Sequence, residues 1–208
     1  MSLKENEAYF SQARVVPVLT PESVASAIAV SRILFDAGLR LQEITLRTDC
    51  AIEAIAALAR ELPELIIGAG SVVTPELGEA AIRAGARFLV SPGTNDTLLQ
   101  YAADCAVPFL PGVSTVSESM RVLALGCSAV KLFPADLLGG ASFLRSVAGP
   151  LPSMKFCPSG GMDANVAPGY LRLGNVIAVG GSWMAPAESV RQNRFAEIRR
   201  LAEEAASL

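Results

Sequence analysis

The amino-acid sequence predicts an α/β fold, a (β/α)₈ TIM barrel formed by residues 1–208 as a single domain. Two observations lead to this fold class. Short apolar segments alternate about eight times with longer, alanine-rich segments, which is the pattern of a parallel sheet whose strands are joined by helices. The length of 208 residues also suits one domain.

An open, doubly wound sheet is the competing architecture. A nucleotide-binding sheet of that kind carries its glycines directly after the first strand. Residues 18–21, which span the end of the first predicted strand and the turn after it, read VLTP and contain no glycine. Glycine pairs follow the seventh and eighth predicted strands instead, so the barrel is favoured.

The alternation assigns each element in turn. The predicted strands are residues 15–19, 41–46, 65–69, 88–90, 109–110, 129–132, 155–157 and 176–179. The predicted helices are residues 21–37, 50–62, 75–84, 95–104, 116–125, 140–147, 163–173 and 188–206.

Several helix ends carry recognisable signals. Residues 20–22 and 74–76 both read TPE, in which threonine caps the helix and proline and glutamate suit its first turn. Gly38, Gly85 and Gly126 stand where a residue beyond a helix needs a positive φ. These signals place helix starts at 20–22 and 74–76 and helix ends before the three glycines.

Composition excludes several classes of protein. Although 51% of residues are hydrophobic, each apolar run is interrupted well before the roughly 18 residues of a membrane span. The net charge of -3 leaves no basic surplus for nucleic acid. The N-terminal segment lacks the apolar stretch of a secretory signal. We therefore expect a cytoplasmic protein with no membrane or nucleic-acid partner.

No cofactor or metal is expected. Histidine is absent, which removes histidine-based catalysis and histidine–metal sites. The four cysteines are far apart and form no C-x-x-C pair, so neither a zinc site nor a disulfide framework is indicated. Catalysis must therefore depend on carboxylates, lysine, tyrosine or cysteine.

The sixth predicted strand carries a lysine. Its period-two alternation places Val130 and Leu132 toward the helices, and Ala129, Lys131 and Phe133 toward the barrel interior, the lumen. Desolvation there favours the neutral amine, which can attack a carbonyl. The alternative is a lysine at a strand end that extends to solvent.

The second predicted strand adds two charged groups. The same alternation places Glu43, Thr45 and Arg47 in the lumen with Lys131. An acid/base group, a planar cation for a carboxylate and an amine together suit a 2-keto acid. The alternative is a structural Glu43–Arg47 ion pair.

The glycine turns predict a phosphate site. Ser159, Gly160 and Gly161 follow the seventh strand, and GGSW at 180–183 follows the eighth. Small residues at these positions let backbone N–H groups approach an anion. Either glycine pair alone could be only a tight turn.

Turns after other strands face the same end of the barrel. Ser71 and Pro92 could shape a keto-acid pocket, although each is equally well explained as turn chemistry. Cys157 precedes the glycine turn, where a buried, inert thiol is the favoured interpretation.

Seven motifs in order resemble the 2-keto-3-deoxy-6-phosphogluconate (KDPG) and 4-hydroxy-2-oxoglutarate (KHG) aldolase family, over nearly the whole chain. They are EITLRT (43–48), GAGSV (68–72), VSPG (90–93), PGVST (111–115), KLFPA (131–135), FCPSGG (156–161) and GGSW (180–183).

The resemblance implies a TIM barrel of the class I aldolase type, and it implies roles for individual residues. Lys131 would be the Schiff-base lysine, Glu43 the general acid/base and Arg47 the ligand of the substrate carboxylate. The resemblance also implies phosphate binding around Ser159, Gly160, Gly161, Gly181 and Ser182. The other substrate-binding residues that we expect are Ser71, Pro92, Phe133 and Gly180. Ser71 and Ser159 stand where many members have threonine, and both keep a hydroxyl.

The resemblance also implies a substrate and an assembly. The expected reaction is cleavage of KDPG to pyruvate and glyceraldehyde 3-phosphate, with 4-hydroxy-2-oxoglutarate as a further substrate. Trp183 after Gly-Gly-Ser is more similar to the gluconate-type enzymes than to their galactonate-type relatives. A homotrimer is implied.

The rival predictions are a phosphosugar isomerase or epimerase, and a non-catalytic phosphate-binding barrel.

Overall fold

The computed structural model describes residues 6–208, and they form a closed parallel barrel with helices outside it. The first five residues of the N-terminal segment lie outside this range. The strands are β1 Val15–Leu19, β2 Leu41–Thr45, β3 Ile66–Gly70, β4 Leu89–Val90, β5 Phe109–Leu110, β6 Gly112–Val113, β7 Ala129–Leu132, β8 Lys155–Pro158 and β9 Val179–Gly181. The helices are α1 Asn6–Phe10, α2 Val24–Asp36, α3 Ala51–Glu61, α4 Pro75–Arg83, α5 Asp96–Asp104, α6 Val116–Ala124, α7 Gly140–Val147, α8 Ala167–Leu171, α9 Ala187–Arg191 and α10 Phe195–Ala206.

Two groups of strands close the barrel. Six strands pair in the order β5-β4-β3-β2-β1-β9, and three in the order β6-β7-β8. β5 and β6 are halves of one barrel strand, interrupted at Pro111, which has no N–H to donate. At the other seam, parallel bridges join Phe156 to Val176 and Ser159 to Gly180. The barrel therefore has the eight strands that the sequence predicts. Seven of them lie within one residue of the predicted bounds, the fifth continues beyond 109–110 as β6, and the eighth is β9 instead of residues 176–179.

Apolar side chains fill both surfaces of the sheet. Val130 and Leu132 of β7 pack in the cluster between sheet and helices, whereas Ala129 packs in the cluster inside the barrel. This confirms the alternation predicted for the strand that carries Lys131. The outer cluster is much the larger, because helices cover the sheet along its whole circumference.

Helix α1 closes the end of the barrel at which the strands begin, and the sequence did not predict it. Phe10 is buried with Phe88 in the inner cluster, their rings edge to face with centroids 5.4 Å apart. Asn6 Nδ2 donates to the backbone carbonyl of Phe109. A helix of five residues depends on such tertiary contacts because its own hydrogen bonds are too few to stabilise it.

The predicted helix starts met different outcomes. At 74–76 the prediction is confirmed, since the Thr74 hydroxyl accepts from the N–H of Leu77 and Pro75 begins α4. At 20–22 it is wrong, because α2 begins only at Val24. Ser23 is the cap there, in a reciprocal hydrogen-bonded box with Ser26. The three glycines predicted to end helices have φ of 100, 104 and 83° at Gly38, Gly85 and Gly126.

Two predicted helices are shorter or divided. The segment 188–206 forms α9 and α10, separated at Asn193, whose φ is 52°. The segment 163–173 is helical only over α8, because the Asp163 carboxylate accepts from the N–H groups of Asn165 and Val166 in a turn before the helix. Within residues 6–208, no helix is both long and apolar enough to cross a membrane.

Candidate active site

The barrel interior holds a buried lysine–carboxylate pair. Lys131 on β7 lies 3.2 Å from Oε1 and 3.5 Å from Oε2 of Glu43 on β2, measured from Nζ. Only 4% of Lys131 and 3% of Glu43 is exposed. The alternative of a lysine extended to solvent is therefore wrong. The two groups are 88 positions apart in the chain, and closure of the barrel brings them together.

The surroundings of the amine are largely apolar. Nζ of Lys131 lies 5.5 Å from the centroid of the Phe133 ring. Cys157 pairs with Lys131 across the β7–β8 ladder. Burial raises the pKa of the Cys157 thiol to about 12, against a smaller opposing effect of the lysine charge. The thiol therefore stays protonated near neutral pH, in agreement with the inert cysteine that the sequence favours.

Arg47 lies at the mouth of the barrel, two residues beyond the end of β2. Its Nε donates to the hydroxyl of Ser71 at 2.8 Å. Ser71 has a positive φ of 59°, which turns the chain sharply at the end of β3. Since the Glu43 carboxylate pairs with Lys131, the alternative of a structural Glu43–Arg47 ion pair is wrong.

A cavity of about 140 Å³ connects these groups with the glycine turns. It is lined by Val18, Arg47, Lys131, Phe133, Ser159, Gly160, Gly161, Met162, Gly181 and Ser182. Eight of the twelve residues predicted for the site are thus on its wall. Of the other four, Glu43 contacts Lys131 and Ser71 contacts Arg47, whereas the Pro92 carbonyl lies against Gly112 and Gly180 pairs with Ser159.

Two wall residues, Val18 and Met162, were not predicted. Val18 follows from the alternation of β1, because Val16, two positions earlier, packs inside the barrel. Met162 directly follows the Gly160-Gly161 pair, and a lone apolar residue after a turn carries no signal of its own. Both add apolar surface, with Phe133, to a wall whose other residues are polar or glycine.

The loop after β8 exposes backbone donors. Gly160 and Gly161 have φ of 91° and 79°, which L residues rarely adopt. Among the described residues, no protein group accepts from their N–H groups. A Cβ on Gly161 would overlap the Asp136 side chain. The conformation therefore leaves two N–H groups without protein partners next to the cavity, as an anion site requires.

The second glycine pair differs from its prediction. Gly180 and Gly181 are strand residues of β9, paired with Val16 and Pro17 of β1, and do not form a turn after the strand. The last strand begins three residues and ends two residues later than predicted. The glycines serve close packing here, since a Cβ on Gly181 would overlap the ring of Trp183.

No group of three or more potential metal ligands of the His, Cys, Asp and Glu types comes together within residues 6–208. The chemistry available at the site is that of an amine, a carboxylate, a guanidinium, hydroxyls and backbone N–H groups.

A family model described as KDPG and KHG aldolase matches residues 7–201. The chain belongs to this family. The KHG/KDPG aldolase of Escherichia coli (strain K12) is 40% identical to this chain over 199 residues. The match covers 96% of this chain and 93% of that protein.

Solved structures of other KDPG aldolases are similar throughout. The enzyme from Legionella pneumophila, with pyruvate captured at low pH as a covalent carbinolamine intermediate, has a TM-score of 0.94 and 37% identity, covering 97% of this chain and 98% of that one. The enzyme from Zymomonas mobilis ZM4, with 3-phosphoglycerate, has a TM-score of 0.92 and 37% identity, covering 99% and 97%. These similarities confirm the barrel and the family that the sequence motifs indicated.

Proposed function

We propose that this chain is a class I aldolase that cleaves KDPG to pyruvate and glyceraldehyde 3-phosphate through a Schiff base on Lys131. The observation that carries the proposal is the buried Lys131–Glu43 pair, which meets a cavity with a guanidinium at its mouth and free backbone N–H groups on its wall. Amine, base, carboxylate ligand and phosphate ligand are the four groups that this reaction needs.

Imine formation begins with a proton transfer. The Glu43 carboxylate, 3.2 Å from Nζ, can accept a proton from the ammonium group and leave a neutral amine. Nζ then attacks C2 of the keto acid to give a carbinolamine, which loses water to form a protonated imine. A carbinolamine with pyruvate is the state captured in the Legionella pneumophila enzyme.

Cleavage uses the imine as the electron sink. Glu43 removes the proton of the C4 hydroxyl, the C3–C4 bond breaks and its electron pair enters the imine as an enamine. Glyceraldehyde 3-phosphate leaves. The enamine is protonated at C3, and water hydrolyses the resulting imine to release pyruvate and restore Lys131. No organic cofactor takes part in these steps.

Binding at both ends would hold the scissile bond in place. Arg47 binds the keto-acid carboxylate, with Ser71 holding its Nε and Pro92 near the same mouth. At the other end, the substrate phosphate accepts from the N–H groups of Gly160 and Gly161. The remaining members of this set are Phe133, Ser159, Gly180, Gly181 and Ser182.

The proposal extends to a second substrate and to the assembly. We propose that 4-hydroxy-2-oxoglutarate is also cleaved, which the name of the Escherichia coli relative supports. We further propose a cytoplasmic homotrimer of single-domain chains. The apolar side chains of Val116 and Met120, four positions apart on α6, are 38% and 56% exposed, which supports contact with another chain. Sedimentation velocity would measure the assembly.

The experiment is a cleavage assay in which released pyruvate is reduced by lactate dehydrogenase. Wild-type protein should cleave KDPG, and Lys131→Ala should abolish turnover. Glu43→Gln should lower kcat by about 10²- to 10⁴-fold with a smaller effect on KM. Lys155→Ala is the control, because that lysine bonds the Gly174 carbonyl at the surface. Folded wild-type protein without activity would refute the proposal.

A further inference from the structure

Gly70, the last residue of β3, lies directly beneath the Glu43 carboxylate. A Cβ placed on Gly70 would overlap Oε1 of Glu43 and would lie 2.5 Å from Cδ and 2.6 Å from Cγ. The three heavy atoms nearest to this Cβ all belong to Glu43, so that side chain occupies the space that a Cβ at position 70 would need. Approaches this close force one of the two groups to move.

The backbone conformation does not explain this glycine. Glycine is used either where φ is positive or where no side chain fits. The φ of Gly70 is not positive, and this glycine pairs with Thr45 of β2 as an ordinary strand residue. Glycine is therefore needed at position 70 because no side chain fits there. Alanine could adopt the same backbone conformation, so a substitution would test the space by itself.

Gly68, two residues earlier on β3, also lies where a side chain would not fit. Gly68 pairs with Glu43 in the β2–β3 register, and a Cβ there would overlap the ring of Phe88. Gly68 and Gly70 both face the lumen, two positions apart. The inward surface of β3 is therefore bare backbone, on which an aromatic ring lies near the closed end and the catalytic carboxylate lies near the mouth.

We propose that Gly70 is a positioning residue, whose missing side chain lets Glu43 lie across β3 and reach Nζ of Lys131. Glu43 is held on its other side by that 3.2 Å contact. Any residue with a Cβ at position 70 displaces the Cγ, the Cδ and the carboxylate of Glu43 together. Rotation about the last bond of the glutamate cannot relieve such an overlap, and the carboxylate has to leave the amine. The inference rests on the proposed function.

The test compares Gly70→Ala with a matched control, Gly149→Ala. A Cβ at Gly149 meets no heavy atom within 4 Å among the described residues, and this glycine also lacks a positive φ. Circular dichroism first checks that both variants are folded. In Gly70→Ala, kcat for KDPG should then fall about 10²-fold, the scale of a lost acid/base group. KM should stay within about 3-fold, since the ligands of the substrate are untouched. Unchanged kcat in Gly70→Ala would overturn the proposal.

A double-mutant cycle separates positioning from general damage. If Gly70 acts only through Glu43, adding Gly70→Ala to Glu43→Ala should change the residual kcat by less than about 2-fold. A further loss as large as in the wild-type background would show that the substitution damages the barrel in another way, and would overturn the role.

A measurement independent of activity completes the test. In the crystal structure of Gly70→Ala, the Glu43 carboxylate should lie more than about 4 Å from Nζ of Lys131, beyond ion-pair distance. An ion pair at its present distance would refute the inference. Failure of the proposed function is a different result: wild-type protein would not cleave KDPG, while the carboxylate would still be displaced in the variant.

Discussion

Replacing Lys131 by methionine should lower the free energy of unfolding, because it removes one partner of the buried Lys131–Glu43 ion pair. Methionine is apolar and of similar length, so the change leaves the Glu43 carboxylate buried without its cation. The two side chains are 6% and 4% exposed, and the pair is separated by 3.2 Å. Removing one partner of a buried pair costs about 3–5 kcal/mol. In a chain of this size each kcal/mol lowers Tm by roughly 2–4 °C, so Tm should fall by about 6–20 °C.

The assay is thermal and urea unfolding at neutral pH. Adding Glu43→Gln to Lys131→Met should recover most of the loss, because no buried charge then remains. Lys155→Met is the control and should cost less than about 1 kcal/mol, since its hydrogen bond lies at the surface. A Lys131→Met variant as stable as wild type, or a double variant no more stable than the single one, would refute this reasoning.

Three further predictions test other parts of the account. Ser182→Ala should lower kcat/KM for KDPG about 10-fold, the scale of one hydrogen bond to a charged group, and leave kcat/KM for 4-hydroxy-2-oxoglutarate unchanged. Equal losses on both substrates would show that Ser182 does not belong to the phosphate site. Because burial raises the pKa of Cys157 to about 12, iodoacetamide at pH 8 should label it only after urea is added, and labelling of the folded protein would contradict that burial. Thr74→Ala should lower the free energy of unfolding by about 1 kcal/mol, since the N–H of Leu77 loses its acceptor; urea unfolding with no loss would show that the cap contributes nothing.

Alternation along single strands made the central part of the site predictable. Period two directs Lys131 and Glu43 inward whatever the neighbouring strands do, because it is a property of the backbone. Their contact follows from barrel closure. The ion-pair partner was not predictable, since Arg47 and Lys131 were both candidates for the Glu43 carboxylate. Which of the two cations pairs with Glu43 depends on where β2 ends, and Arg47 lies beyond that end.

Other features depend on contacts that no local pattern records. Thr20 looks like a helix cap, but its hydroxyl bonds that of Thr45 across the barrel mouth at 2.9 Å, and Ser23 caps the helix instead. Gly180-Gly181 looks like a turn because glycine is common in turns. In the fold the pair completes β9 beside β1, where the missing side chain of Gly181 leaves room for Trp183. In both places the local pattern predicted the wrong structure, because tertiary packing determined how the residues are used.

The most direct test of the central claim is borohydride reduction of the protein in the presence of pyruvate, followed by peptide mass mapping. The chain contains three lysines, Lys4, Lys131 and Lys155, so the map identifies the reactive amine without ambiguity. We expect a stable pyruvyl adduct on Lys131, lost in Lys131→Ala and retained in Lys155→Ala. Folded protein that forms no adduct, or an adduct on Lys4 or Lys155, would contradict it.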